Sequence, residues 1–180
     1  MSAPVTPEFS HRIPLEKLSE RAQHHVLEAG TAARAALSAR FDLIAVGRLI
    51  AHVSVEKQGR SALLSGRFKA DVVQRCALSG EPVRAHVAQT LALCFEPEDQ
   101  DPGDIELEAG ALDVLAVEDG SVDIGEAVAQ SLFLALDPYP RADDMTLARV
   151  RALLLSEDAA RAAEAAAKAK ANPFAALKKP

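Results

Sequence analysis

Two stretches of the chain alternate apolar and polar residues with a period of two. Over residues 63–76 the even positions Leu64, Phe68, Ala70, Val72 and Cys76 are apolar, and the odd positions Arg67, Lys69, Asp71 and Arg75 are charged. That is a strand with one buried and one wet face. Ser79-Gly80-Glu81-Pro82 turns the chain. Residues 83–95 return with Val83, Ala85, Val87, Leu91, Leu93 and Phe95 on one face and Arg84, His86 and Thr90 on the other. The pair predicts a long antiparallel hairpin or meander, with Cys76 opposite Val83. Upstream, residues 43–56 carry Ile44, Val46, Ile50, Val53 and Val55, a β-branched content that suits a strand. Residues 24–29 read as a short strand that Gly30 ends, and residues 13–18 as a short helical turn after an extended arm. Thr31 is placed to cap a helix through Arg40, and residues 32–37 are good helix formers.

Downstream, residues 96–110 form an acidic loop with Pro97, Pro102 and Gly103, and residues 112–117 a further strand. Asp123 opens a helix, and Glu126 three residues later has the spacing of a capping box. Ile124, Val128, Leu132 and Leu136 recur every four residues, so this helix packs on the sheet until Asp137-Pro138-Tyr139-Pro140 stops it. Residues 146–170 are helical by propensity. A short stripe of Leu147, Val150 and Leu154 gives way to alanine, with Glu157–Arg161 and Glu164–Lys168 at i,i+4. The fold class is therefore α+β: an antiparallel sheet of four to five strands packed with two helices, plus a C-terminal helical tail. Residues 1–140 make one domain and residues 141–180 a helical, partly flexible tail.

A chain of 180 residues buries roughly two-thirds of its unfolded surface, so neither disulfide nor metal is needed to hold a core. No apolar run reaches the ~18 residues of a membrane helix, and residues 1–9 lack a basic region followed by an apolar one. The expected location is cytoplasmic, without membrane association, and the expected state of the two cysteines is a reduced thiol. Charge changes the picture more. The net charge is -6, yet residues 85–140 hold 13 Asp or Glu and no Lys or Arg, so the rest of the chain is net basic. A local basic face beside an acidic insert follows as a possibility, against the alternative of a solvated surface with segregated charge.

The candidate chemistry is thin. With Cys76 near Val83, Cys94 lies ~36 Å along the strand, far beyond the ~7 Å that a disulfide tolerates. There is no C-x-x-C and no H-x₃₋₅-H spacing for zinc, and adjacent His24 and His25 point to opposite faces of a strand. Cys76 reads as a buried structural thiol, and His86 lies on the other face of the hairpin, which separates them as a nucleophile and base. No Gly-rich phosphate loop, G-x-S-x-G or H-E-x-x-H is present. Asp123 is explained as a helix cap. The expectation is no enzyme, no cofactor and no metal. The wet-face cations Arg67, Lys69, Arg75 and Arg84 remain, a set suited to phosphates without reading sequence. Phe68 is on the opposite face, so the pattern shows no aromatic platform for bases.

Val72-Val73-Gln74-Arg75-Cys76 followed by Gly80-Glu81-Pro82-Val83 resembles the cysteine-containing hairpin of the YceD family, the large ribosomal RNA subunit accumulation proteins. Val122-Asp123-Ile124-Gly125-Glu126-Ala127-Val128 with Leu132-Phe133-Leu134-Ala135-Leu136 and Pro138 is similar to that family's acidic-apolar helix segment. Asn172-Pro173-Phe174-Ala175-Ala176-Leu177 is similar to its C-terminal tag. The motifs stand in the family's order. Two departures are plain: Val73 occupies the first position of the C-x-x-C found in many members, and residues 140–144 hold neither Cys nor His. The resemblance implies a bacterial, non-enzymatic factor in 23S rRNA synthesis, processing or accumulation and in large-subunit assembly. Its expected partner is precursor 23S rRNA or an early large-subunit particle, met through Arg67, Lys69, Arg75 and Arg84. The alternative is a protein adaptor that binds a basic ribosomal protein through the acidic loop and a C-terminal turn. In that turn Asn172 caps, Pro173 starts, and Phe174 and Leu177 share a face.

Overall fold

The two alternating stretches become the central pair of a five-stranded sheet. The computed structural model describes residues 7–97, 113–143, 145–148 and 157–171. Strand β4 (Ser61–Arg75) pairs antiparallel with β5 (Pro82–Pro97), from Ala62 opposite Phe95 to Arg75 opposite Pro82. Their alternation sorts as the pattern requires, with Leu64, Phe68, Ala70, Val72, Leu91, Leu93 and Phe95 buried and Arg67, Lys69, Asp71, Arg84 and His86 exposed. The register differs from the expectation at the turn. Cys76 lies opposite Glu81, its amide donating to that carbonyl at 2.8 Å, and Val83 faces Gln74. The turn is tighter than expected because Gly80 takes a φ of 73°, which closes the chain in fewer residues.

Strand β3 (Ala45–Gln58) pairs antiparallel on the other side of β4, and β2 (Gln23–Glu28) pairs with β3. Strand β6 (Asp113–Val117) completes the order β2-β3-β4-β5-β6. It runs parallel to β5, from Leu93 opposite Asp113 to Pro97 opposite Val117, whereas the expectation was an antiparallel sheet throughout. Parallel neighbours need a connection of a dozen residues or more, and residues 98–112 supply it. The acidic loop beyond Pro97 thus lies outside the described residues.

The arm before residue 15 is more than extended chain. Strand β1 (Arg12–Pro14) pairs with β7 (Ser121–Asp123) in a separate two-stranded ribbon. The expected helical turn follows as a 3₁₀ turn at Leu15–Lys17. Helix α1 spans Thr31–Arg40 as anticipated, but Gly30 rather than Thr31 is its N-cap. Gly30 is already extended (φ -66°, ψ 171°) and its carbonyl accepts from the Arg34 amide at 2.9 Å, which places Thr31 inside the first turn. Helix α2 (Ile124–Ala135) is capped by Asp123, whose carboxylate accepts from the Gly125 and Glu126 amides. Glu126 does not reach back to complete a capping box; it turns to Arg40 instead.

Both helices lie on one face of the sheet, where Leu37, Leu49, Val55, Leu64, Phe68, Val72, Ile124, Val128 and Leu132 form a closed core. Burial of a Val, Leu, Ile or Phe side chain is worth ~1.5–3 kcal/mol, so this layer dominates the fold. Two arginine-centred bonds tie its elements: the Arg40 guanidinium of α1 meets Glu126 at 2.6 Å and Glu8 at 3.1 Å. Residues 145–148 are helical, with Leu147 buried, and α3 (Glu157–Ala171) carries the Glu164–Lys168 pair at 2.7 Å. Val150, Leu154 and the Asn172, Pro173, Phe174 and Leu177 motif lie outside the described residues. Among the described residues no helix is long and apolar enough to cross a membrane.

Candidate functional site

Among the described residues the face of β3, β4 and β5 opposite the helices is open, and the β3–β4 register decides which side chains β3 contributes to it. The β3–β4 register runs from Gln58 opposite Ser61 to Arg48 opposite Asp71, then skips Gly47 so that Val46 faces Val72. One extra residue reverses the parity of a strand. Leu49, Ala51, Val53 and Val55 point inward at odd positions, yet beyond the bulge the even-numbered Val46 does so. The unbroken register from Gln58 opposite Ser61 to Arg48 opposite Asp71 sets Arg48, Ile50 and His52 on the open face, and the bulge turns over only the residues before Gly47. Glycine suits the inserted position because it adds no side chain to either layer.

Three cross-strand rows follow from the register: Arg48–Asp71–His86, Ile50–Lys69–Ala88 and His52–Arg67–Thr90. Strands stand ~4.8 Å apart, and same-face residues along one strand ~6.7 Å apart, so these side chains share one small area. Between them is a cleft of about 380 Å³. It is lined by Arg48, Arg67 and Lys69, by the half-buried Ile50, and by His52 and His86. Among the described residues Asp71 is the one carboxylate lining it, and it is engaged by His86 Nδ1 at 2.7 Å.

Sequence reasoning grouped Arg67, Lys69, Arg75 and Arg84 as one patch. All four are exposed on this side of the hairpin. The sheet divides them into two pairs, however. Arg67 and Lys69 belong to the cleft. Arg84 lies opposite Val73 and Arg75 opposite Pro82, towards the turn, with the Asp71–His86 row between the pairs. No ion pair among the described residues engages any of these four or Arg48. Arg48, His52 and Ile50 were missed, because the residue 43–56 stretch was read as a strand without assigning its faces. The alternation of Leu49, Ala51, Val53 and Val55 with Arg48, Ile50, His52 and Ser54 was the available signal.

The thiols are both free and far from each other in register, with Cys94 opposite Leu63. Cys76 is buried at the turn, where its Sγ accepts from the Ser79 amide at 3.4 Å and the Ala142 amide at 3.3 Å. Hydrogen bonding from the Ser79 side chain, then from the Ala142 and Ser79 amides, pulls its pKa down to about 7. Burial, and then the Glu96 carboxylate, push the Cys94 thiol up. His24 and His25 do face opposite ways: His24 is exposed on the open side, while His25 stacks edge-on to His11 with ring centroids 5.5 Å apart. Burial, then the neighbouring His11 and His24, hold the His25 pKa below its ordinary value. No group of three or more His, Cys, Asp or Glu among the described residues is arranged to hold a metal ion. Asp123 is taken up by four donors, Ser10 Oγ and the amides of His11, Gly125 and Glu126.

Among the described residues the architecture is that of a sheet backed by helices on one face, with a second face that carries several cations left open. The chain belongs to the YceD family: residues 64–179 match the family model described as "Large ribosomal RNA subunit accumulation protein YceD". That membership assigns it a role in accumulation of the large ribosomal RNA subunit. The match begins in β4, so Arg48, Ile50 and His52 of β3 lie ahead of it. No curated protein and no solved structure matches the chain.

Proposed function

We propose that this protein is a non-enzymatic, cytoplasmic ribosome-biogenesis factor that supports synthesis, processing or accumulation of 23S rRNA by binding the precursor RNA or an early large-subunit particle. The observation that carries the reading is the open sheet face. It bears Arg67, Lys69, Arg75 and Arg84, none taken up by an ion pair among the described residues, in a chain whose net charge is -6. Cations left unpaired on an open face, in a chain with carboxylates to spare, suit an external polyanion. The arginine forks and the lysine ammonium meet phosphate oxygens and position the RNA without reading its bases.

Salt dependence and mutation together test this. Affinity for a precursor 23S rRNA fragment, measured at several salt concentrations, falls with a slope of ~0.7 log unit per log unit of salt for each single-strand phosphate contact. Arg75→Ala with Arg84→Ala lowers the affinity and reduces the slope by about 1.4. An unchanged affinity and slope in the double variant refutes contact through the turn-proximal pair. Crosslinks to ribosomal protein alone, in a sedimenting precursor particle, instead support the adaptor. That reading rests on the acidic 85–140 region and would use the residue 96–110 loop and the Asn172, Pro173, Phe174 and Leu177 motif against a basic ribosomal protein.

A further inference from the structure

The phosphate reading leaves the shape of the cleft unused. A row of cations on a flat sheet serves a polyanion equally well, but here the three cations line a concavity of about 380 Å³ together with an apolar side chain, the half-buried Ile50. That volume lies within the ~300–1,000 Å³ range of small-ligand sites. Ala88 and Thr90 stand on β5 beside Lys69 and Arg67, and their short side chains leave the depression open on that flank. Two imidazoles border it, His52 and His86. Asp71 accepts from His86 Nδ1, which leaves Nε2 as the ring's free hydrogen-bonding atom.

We infer that this cleft is a nucleotide site, which takes one unstacked nucleotide of a single-stranded RNA segment. The inference rests on the RNA-binding reading above and adds the form of RNA that is bound. Arg48, Arg67 and Lys69 meet the phosphates on either side of the nucleotide. The base lies over Ile50 with its face against the His52 ring, and His86 Nε2 meets a polar edge. A duplex keeps its bases stacked inside and offers only its backbone, so it gains nothing from Ile50 or His52. Unpaired bases can be splayed out and stacked on imidazole or guanidinium planes. A polyglutamate chain would use the three cations but has no flat apolar group to place against Ile50. These contacts draw on β3, whose Arg48, Ile50 and His52 precede the family-matched region.

Fluorescence anisotropy with a short unstructured RNA, the corresponding duplex and a polyglutamate competitor tests the site. The wild-type chain is compared with His52→Ala and His52→Tyr, all shown folded by circular dichroism. The single strand binds at least fivefold more tightly than the duplex. His52→Ala weakens the single strand about tenfold, the scale of one lost base stack, and leaves the duplex within twofold. His52→Tyr restores single-strand binding because it restores a stacking plane. Equal binding of single strand and duplex overturns the nucleotide site while the RNA reading stands. So does an equal loss on both RNAs in His52→Ala, or displacement by polyglutamate at the same charge concentration. Failure to bind RNA of either form overturns the RNA reading itself, and the site with it.

Discussion

Replacing Asp123 by alanine removes one carboxylate on which two parts of the molecule converge, the start of α2 and the arm before β1. Its Oδ1 accepts from the amides of Gly125 at 3.1 Å and Glu126 at 3.0 Å, which caps helix α2. The same oxygen accepts from the His11 amide at 2.8 Å, and Oδ2 accepts from Ser10 Oγ at 2.5 Å, which pins the arm before β1. Loss of an N-cap costs ~1 kcal/mol. Each of the two arm bonds contributes ~0.5–1.5 kcal/mol net in a partly exposed setting. The sum is about 2–4 kcal/mol, or a fall in Tm of about 5–15 °C for a chain of this size. Asp123→Asn keeps a carbonyl for the three amides and turns its NH₂ towards Ser10, whose hydroxyl can accept instead, so it costs only about 1 kcal/mol. Thermal and urea unfolding of wild type, both Asp123 variants and Ser10→Ala separate the contributions. Asp123 sits in the helix layer, away from the cleft, so RNA affinity below the melting range stays at the wild-type level. An Asp123→Ala variant that melts within 2 °C of wild type refutes the convergence argument. An Asn variant as damaged as the Ala variant refutes the acceptor geometry and makes net charge the cause.

Gly66 faces Val53 across the β3–β4 pair, and a Cβ there would overlap the His52 carbonyl oxygen and come within 2.7 Å of Val53 Cα, at a φ of 156°. Gly66→Ala therefore spreads the strands that build the cleft, lowers the urea midpoint by the equivalent of about 3 kcal/mol or more, and weakens RNA binding along with stability; a variant of wild-type stability contradicts the close approach. Acid titration of stability includes contributions from His25 and Glu126. The folded His25 pKa is below 6.5, so the unfolded chain binds its proton more readily; that contribution is complete above about 6.5 and is lost as pH falls through the folded value. Glu126 follows at lower pH: burial raises its pKa, but the Arg40 and Gln130 hydrogen bonds and the Arg40 charge outweigh burial and leave it below 4.5. Its contribution is complete above about 4.5 and is lost as pH falls through the folded value. Urea midpoints measured from neutral pH downwards fall less in the first window in His25→Leu than in wild type, and less in the second in Glu126→Gln than in wild type. A flat wild-type profile between about pH 7 and 5 rules out the His25 contribution.

Short-range pattern was sufficient wherever the physics is short-range. The period of two in β4 and β5 assigned the inner and outer faces of the hairpin, including the burial of Cys76 and the exposure of Arg67, Lys69, Arg75 and Arg84. Asp123 was legible as a cap because a cap depends on amides two and three residues away. The family motifs were legible for the same reason: each is a contiguous run. What the sequence left open was set by residues far apart in the chain. The β3–β4 register exists only as pairing between two strands, and it puts His52 opposite Arg67 and Ile50 opposite Lys69, with Arg48 in the next row; the parity reversal at Gly47 affects only the residues before it. Glu126 has the spacing of a capping box, yet Arg40, 86 residues away, offers its carboxylate a charged partner at 2.6 Å, and that bond prevails over a neutral amide. The parallel edge at β6, the β1–β7 ribbon and the division of the four cations by Asp71–His86 are likewise products of pairing between distant segments. Local periodicity states which residues seek the core; only the tertiary register determines which of the remaining residues meet one another on the surface.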